Sequence, residues 1–232
     1  MSRFVTLALA SLLTTSTVQA QLLLSDNFDS ENGGNSAANY VGFANWTVTG
    51  QVDLLKSGTG GITCQGGTGV CVDLDGSTGP GRITTKNFFA FGAGDRVRFQ
   101  FGQSGNQRSP GTFDGFEVKA LFSTTTTLTG GAFSVGGFTG AITADSWLAF
   151  AYSQSQYAWD AAWSTGFVEF DAAQAGSVQF TLSTSSSDRV GPLVDNVVLT
   201  ATPATVVPEP SAYALMAAGL VGVGVVARRR RR

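Results

Sequence analysis

The residues best able to do chemistry are two carboxylates close together, Glu169 and Asp171, in Glu169-Phe170-Asp171-Ala172-Ala173-Gln174. In an extended strand they point to the same face. A pair of carboxylates is the minimum equipment for glycoside hydrolysis. Gln174 cannot donate a proton as a general acid. The chain contains no histidine, which removes Ser-His-Asp and Cys-His nucleophilic mechanisms and the commonest zinc ligand. Asp73-Leu74-Asp75-Gly76 begins like a calcium loop. An EF-hand needs Gly at the sixth position and Glu at the twelfth, and this stretch offers neither, so it is a strand end followed by a turn. We therefore expect no catalytic activity; a glycoside hydrolase is the alternative.

Binding chemistry is better represented. Between Trp147 and Phe170 stand Trp147, Tyr157, Trp159 and Trp163, with Gln154, Gln156 and Asp160 among them. Aromatic faces stack on sugar rings, and the polar neighbours reach hydroxyls. The same residues also suit a core beneath a long connection. Cys64 and Cys71 are the only cysteines. In an oxidising compartment they form one disulfide around a flexible Gly-rich loop.

These residues are carried by strands. Arg96-Val97-Arg98-Phe99-Gln100-Phe101 alternates strictly between polar and apolar, the mark of a strand with one wet and one buried face. Similar runs include Trp46–Gly50, Val70–Leu74, Phe116–Ala120, Val178–Leu182 and Leu193–Thr200. Clusters such as Gly79-Pro80-Gly81, Gly92-Ala93-Gly94, Gly130-Gly131 and Gly136-Gly137 separate them. About ten strands and no amphipathic helix predict an all-β fold, an antiparallel β-sandwich of the jelly-roll kind. Residues 105–112 read as a loop.

The two ends address the chain. Arg3, the apolar stretch Phe4–Leu13 and the small-residue site Val18-Gln19-Ala20 predict a signal peptide over 1–20. The sandwich is expected over 21–200 and a linker over 201–207. The last segment, 208–232, holds Pro208-Glu209-Pro210, an apolar run Ser211–Ala227 and Arg228–Arg232. Seventeen apolar residues make roughly 25 Å of helix against a hydrocarbon core of ~30 Å. This predicts a transmembrane helix over 211–227 with an Arg-rich cytoplasmic end. Without Arg3, Glu209 and the terminal arginines, the 16 acidic and 14 basic residues become 15 and 8, a net charge of −7. An acidic domain without a basic stripe excludes nucleic acid as a partner.

The three-part tail resembles the PEP-CTERM sorting signal of exported bacterial proteins. That resemblance implies recognition of Pro208, Glu209 and Pro210 by an exosortase. It also implies attachment to the inner membrane before processing, then a place at the cell surface or outside the cell, in bacteria that make extracellular polysaccharide and biofilm. The domain resembles galactose-binding-like jelly rolls, including carbohydrate-binding modules. The resemblance rests on Asp26-Asn27-Phe28-Asp29, Asn45-Trp46, Val52-Asp53-Leu54 and Gly191–Leu199. It implies a structural calcium where the first and last strands meet, with Asp29 and Asp195 matching its acidic ligands. On the residues alone, Asp29 starts a turn and Asp195 hydrogen-bonds a loop. The segment 169–174 also resembles the Glu-x-Asp-x-x-Glu of some jelly-roll glycosidases and departs from it at Gln174. The reading is an exported, non-catalytic matrix protein, structural or binding an extracellular polysaccharide; a protein-binding adhesin is a further alternative.

Overall fold

The computed structural model describes residues 19–77, 79–204 and 210–230. The first strands are β1 (Gln21–Asp26), β2 (Trp46–Gly50), β3 (Asp53–Lys56), β4 (Val70–Asp73), β5 (Asp75–Gly76), β6 (Gly79–Thr85), β7 (Phe89–Phe91) and β8 (Arg96–Ser104). The rest are β9 (Phe113–Val135), β10 (Phe138–Ile142), β11 (Asp145–Ala158), β12 (Ser164–Ala172), β13 (Gly176–Ser183) and β14 (Leu193–Thr202), followed by the helix α1 (Pro210–Arg229). All strand pairings among them are antiparallel, in the order β2-β6-β13-β9-β12-β8-β14-β4-β3. The expected all-β class and antiparallel architecture are what the chain adopts.

One continuous sheet becomes two layers because β9, 23 residues long, belongs to both. Its Glu117–Phe122 portion pairs with β13 and its Leu128–Ser134 portion pairs with β12. The sheet folds over along this strand. Phe99 on β8 and Phe180 on β13 are three ladder steps apart, yet their rings stack at 4.3 Å and 5°. Phe101 meets Phe116 at 5.8 Å, and Phe122 meets Phe170 at 5.2 Å, both edge to face. These fully buried or nearly buried rings are the even-spaced apolar residues of the alternating runs. Their partners in the alternation, such as Arg98, Gln100 and Lys119, are part-exposed on the outer faces.

A smaller core lies at one end. Leu55, Ile62, Cys64, Cys71 and Leu193 bury one another, with Trp163 packed alongside. The expected Cys64–Cys71 disulfide is formed, with a Cα–Cα separation of 5.5 Å. Closing so short a loop is worth ~2–3 kcal/mol by the chain-entropy estimate.

At the C-terminus a helix forms where the apolar run predicts one, with Pro210 at its first position. Its spanning role is corrected: among the described residues, no helix is long and apolar enough to cross a membrane. The physical reason lies in the run itself. It is a few ångströms short of the hydrocarbon core, Gly219, Gly222 and Gly224 dilute its apolar surface, and arginine follows directly. Residues 1–18 of the expected signal peptide (1–20), Pro208 and Glu209 of the expected recognition motif, and Arg231 and Arg232 lie outside the described residues.

Candidate functional site

Strand register assembles a polar row on the outer face of the layer β2-β6-β13-β9-β11. Thr49 lies opposite Arg82, Arg82 opposite Ser183, Ser183 opposite Glu117, and Glu117 opposite Ser153. A second row follows two residues along: Thr47, Thr84, Thr181, Lys119 and Ala151. Five strands at ~4.8 Å spacing make each row about 19 Å long. Two adjoining hollows of about 170 and 180 Å³ run along the first row and share Arg82, Ser183 and Thr184. Ser185 lines the second hollow.

The groups here are set for hydrogen bonding. Ser183 donates to Glu117 Oε1 at 3.3 Å, and the Thr84 and Thr181 hydroxyls are 3.0 Å apart. Thr184 donates to the Gly115 carbonyl at 2.6 Å. Among the described residues, Arg82, Lys119 and Glu117 have no ion-pair partner. The face thus offers donors and acceptors of both kinds: hydroxyls, a guanidinium, an ammonium and a carboxylate.

The carboxylates first suspected of catalysis occupy the opposite layer. Asp171 faces Arg96 across the β8–β12 ladder and Glu169 faces Arg98. Arg96 donates to both Asp171 oxygens, at 2.7 and 2.9 Å, and Arg98 to Glu169 at 3.0 Å. Arg98 also lies 4.0 Å over the Phe167 ring. The Arg96 hydrogen bonds hold the Asp171 carboxyl below its ordinary value, the wrong direction for a general acid. Gln174 is turned to the Thr125 carbonyl at 3.0 Å.

The four proposed stacking aromatics are not brought together. Trp147 and Tyr157 are ten residues apart on β11, about 33 Å at strand rise. Trp147 packs edge-on to Phe150 at 6.2 Å and donates to the Thr143 carbonyl. Tyr157 is buried against Phe116 at 5.8 Å, and burial pushes its phenol up to about 12. Trp159 is half-buried, its main chain bonded to Thr112 and Gln107. Trp163 covers the disulfide core and donates to the Thr63 carbonyl at 2.7 Å. The strand alternation of β11 sends its aromatics inward, which the composition of the segment does not reveal.

Asp29 and Asp195 each hold one end of the disulfide loop, near the seam of the first and last strands. β1 pairs with β14, and the disulfide loop lies across them. Asp29 accepts from Val70 N at 2.8 Å, and Asp195 accepts from Gln65 N at 3.2 Å, so both ends of the Cys64–Cys71 loop are held there. Asn196 donates to Gln65 Oε1 at 3.1 Å. Burial lifts the Asp195 carboxyl to about 7, opposed by its backbone hydrogen bonds and assisted by the charges of Asp29 and Asp26.

A buried polar cluster at Asp73 and Asp75 escaped the sequence reading, which took this stretch as a plain strand end. Asp73 accepts from Asp75 N at 2.9 Å and Gly191 N at 2.8 Å, and pairs with Arg108. Asp75 accepts from Arg189 N at 3.0 Å, while its Oδ1 is buried without a partner. Asp114 accepts from Ser186 at 2.8 Å and Asn106 at 2.9 Å. The cluster ties the 105–112 loop to the segment before β14. The only sequence hint was the pair of aspartates flanking Leu74.

The chain is similar in strand arrangement to several solved structures. One is the K3 cleaved adhesin domain of Lys-gingipain from Porphyromonas gingivalis, at 15% identity and TM-score 0.40, covering 78% of this chain and 99% of that one. Another is the CBM22-1–GH10 portion of xylanase 10B from Clostridium thermocellum, complexed with xylohexaose. It matches at 13% identity and TM-score 0.40, covering 81% of this chain and 30% of that one. A third is the CBM22-1 xylan-binding domain of Xyn10C from Paenibacillus barcinonensis, at 12% identity and TM-score 0.37, covering 82% and 100%. At these values the similarities carry nothing about what this chain binds. No curated protein matches the chain in sequence. Residues 206–232 match the PEP-CTERM protein-sorting motif, covering the Pro-Glu-Pro, the apolar run and the arginines in their expected order. The chain therefore ends in a PEP-CTERM sorting motif.

Proposed function

We propose that this is an exported, non-catalytic protein, processed by an exosortase through its C-terminal motif, that holds extracellular polysaccharide of a surface or biofilm layer on the outer face of β2-β6-β13-β9-β11. The sorting half of this reading is supported by the match over residues 206–232. The observation that carries the binding half is the row Thr49, Arg82, Ser183, Glu117 and Ser153 with its two hollows. A sugar polymer presents hydroxyls at regular intervals, and a row of fixed donors and acceptors meets them along its length. Arg82 and Lys119 favour a polymer that also bears carboxylates.

The test uses the native host. A C-terminally tagged chain loses its tag, and Glu209→Ala retains it. The released protein is retarded in a gel containing the host's extracellular polysaccharide. Arg82→Ala combined with Glu117→Ala weakens that retardation at least about tenfold, the loss of roughly 1.4 kcal/mol or more. Equal processing of both tagged forms overturns the sorting half. Retardation unchanged in the double variant overturns the binding face, and retardation absent from the wild type favours a protein-binding adhesin.

We also propose that the seam at Asp29 and Asp195 takes a structural calcium ion. The supporting observation is the buried Asp195 carboxylate, whose ionisation is opposed by burial and by the charges of Asp29 and Asp26. Among the described residues, no group of three or more His, Cys, Asp and Glu is arranged to hold a metal. Two carboxylates fit a calcium site whose other ligands are backbone carbonyls and water. Chelator is expected to lower the melting temperature, calcium to restore it, and Asp195→Ala to remove the response. At a hundredfold excess over Kd the ion is worth about 2.7 kcal/mol. A melt unmoved by chelator returns both aspartates to loop capping.

A further inference from the structure

We infer that β11 pairs edge to edge, antiparallel, with β11 of a second copy of this chain. The observation is an unguarded sheet edge. β11 runs for 14 residues and pairs on one side with β9; among the described residues nothing pairs with its other side. Free strand edges template association, so natural edges are kept short, charged with lysine, interrupted by proline or covered. The remaining edges of this fold follow that rule. They are much shorter than β11: β1 has six residues, β2 and β10 have five each, β3 has four and β7 has three. The outer side of β3 is taken by Ala37, which exchanges both backbone hydrogen bonds with Leu54 at 2.9 Å. β11 has no proline, lysine, arginine or glutamate, and its one charge, Asp145, sits at its end.

The strand is also complementary to itself. Its ladder to β9 shifts between Trp147 and Ala149 and again between Gln154 and Tyr157, leaving Ala149–Gln154 regular. Residues opposite one another across an antiparallel pair share a face. A two-fold axis at Ala151 therefore sets Ala149 against Ser153 of the second copy on the outer face. It sets Phe150 against Tyr152 of the second copy on the inner face. The outer side chains are small, so backbones approach freely. The inner pair extends an existing aromatic cluster, in which Tyr152 stacks on Phe138 at 5.3 Å and 10°. Asp145 falls opposite position 157 of the other copy, so no like charges meet. The joined face has ten strands. Ser153 ends the polar row of each copy beside the axis, which makes the row bivalent.

This inference goes beyond the polysaccharide reading and is tested without any sugar. The full chain is purified in detergent, and Ala151→Cys is oxidised. Opposed Cα atoms in an antiparallel pair lie about 4.5–5.5 Å apart, within disulfide range. A disulfide-linked dimer is expected on a non-reducing gel, and none from Val41→Cys, which is 72% exposed but far along the chain from this edge. By sedimentation the wild type is dimeric, and Ala151→Lys, which sets two ammonium groups together at the axis, weakens the dimer at least about tenfold. A monomeric wild type overturns the inference. So does equal cross-linking at Val41→Cys, or a dimer unchanged in Ala151→Lys, which would place association in the C-terminal helix.

Discussion

Phe180→Ala is expected to cost ~3–5 kcal/mol, enough to remove much of a typical domain's stability. Phe180 is fully buried and lies flat on Phe99 of the other layer. Phe99 in turn touches Phe101 at 5.5 Å, and Phe101 touches Phe116. The deletion opens a void at the centre of a continuous aromatic column, and strands tied by ladders on both sides collapse poorly into it. Urea denaturation measures the loss as a lower midpoint with unchanged slope. Phe138→Ala is the contrast. Its ring is 49% exposed, so its removal is expected to cost well under half as much. Equal losses would mean that the two layers are not held by this stack.

The second large effect is on pH. Burial raises Asp75 to about 6, against the pull of its backbone hydrogen bonds and with help from Asp188 and Asp114. Burial also raises Asp114, opposed by Ser186 and Asn106. Asp73 moves the same way, burial outweighing its backbone bonds and Arg108. A carboxyl whose folded pKa lies above its unfolded value binds more protons when folded. Its contribution to stability is full below about pH 4 and is lost as pH rises through the folded value. The melting temperature is therefore expected to rise on going from pH 8 to pH 5, opposite to a protein stabilised by paired surface carboxylates. Asp75→Asn keeps the shape, removes the buried charge, and is expected to gain about 1–2 kcal/mol at pH 8 while flattening the profile. A melting temperature that falls steadily with acidification would show these groups charged in the folded state.

What the sequence shows is what lies within one segment. The alternation of Arg96–Phe101 marks β8, and the tail shows its three parts in order. The cysteine pair can be read because only one pairing exists. The polar row cannot be read, because its five members span residues 49 to 153 and on to 183 and become neighbours only through register. None is unusual alone. Glycines misled where they serve close approach instead of a turn. Gly131 lies inside β9 because a side chain there would strike the Glu169 carbonyl, and Gly81 lies inside β6 against the Gln51 carbonyl. Reading both as strand breaks hides the length of β9, the strand that makes two layers from one sheet. The aromatic segment left stacking and core readings open for another reason: composition names the side chains, while the pleat of β11 sets the burial of Trp147 and Tyr157, and Trp159 and Trp163 lie beyond that strand's end.

The pairing of the first strand with the last sets an order of events for a chain that emerges N-terminus first. Among the described residues β1 pairs with β14 alone, and β14 fills the gap between β8 on one side and β1 and β4 on the other. Until Thr202 is out, β1 is loose and the edges of β8 and β4 are open. Most contacts join residues distant in sequence, so closure is slow by the usual dependence of rate on topology. The sandwich thus completes itself only once the residues just before the sorting motif have emerged.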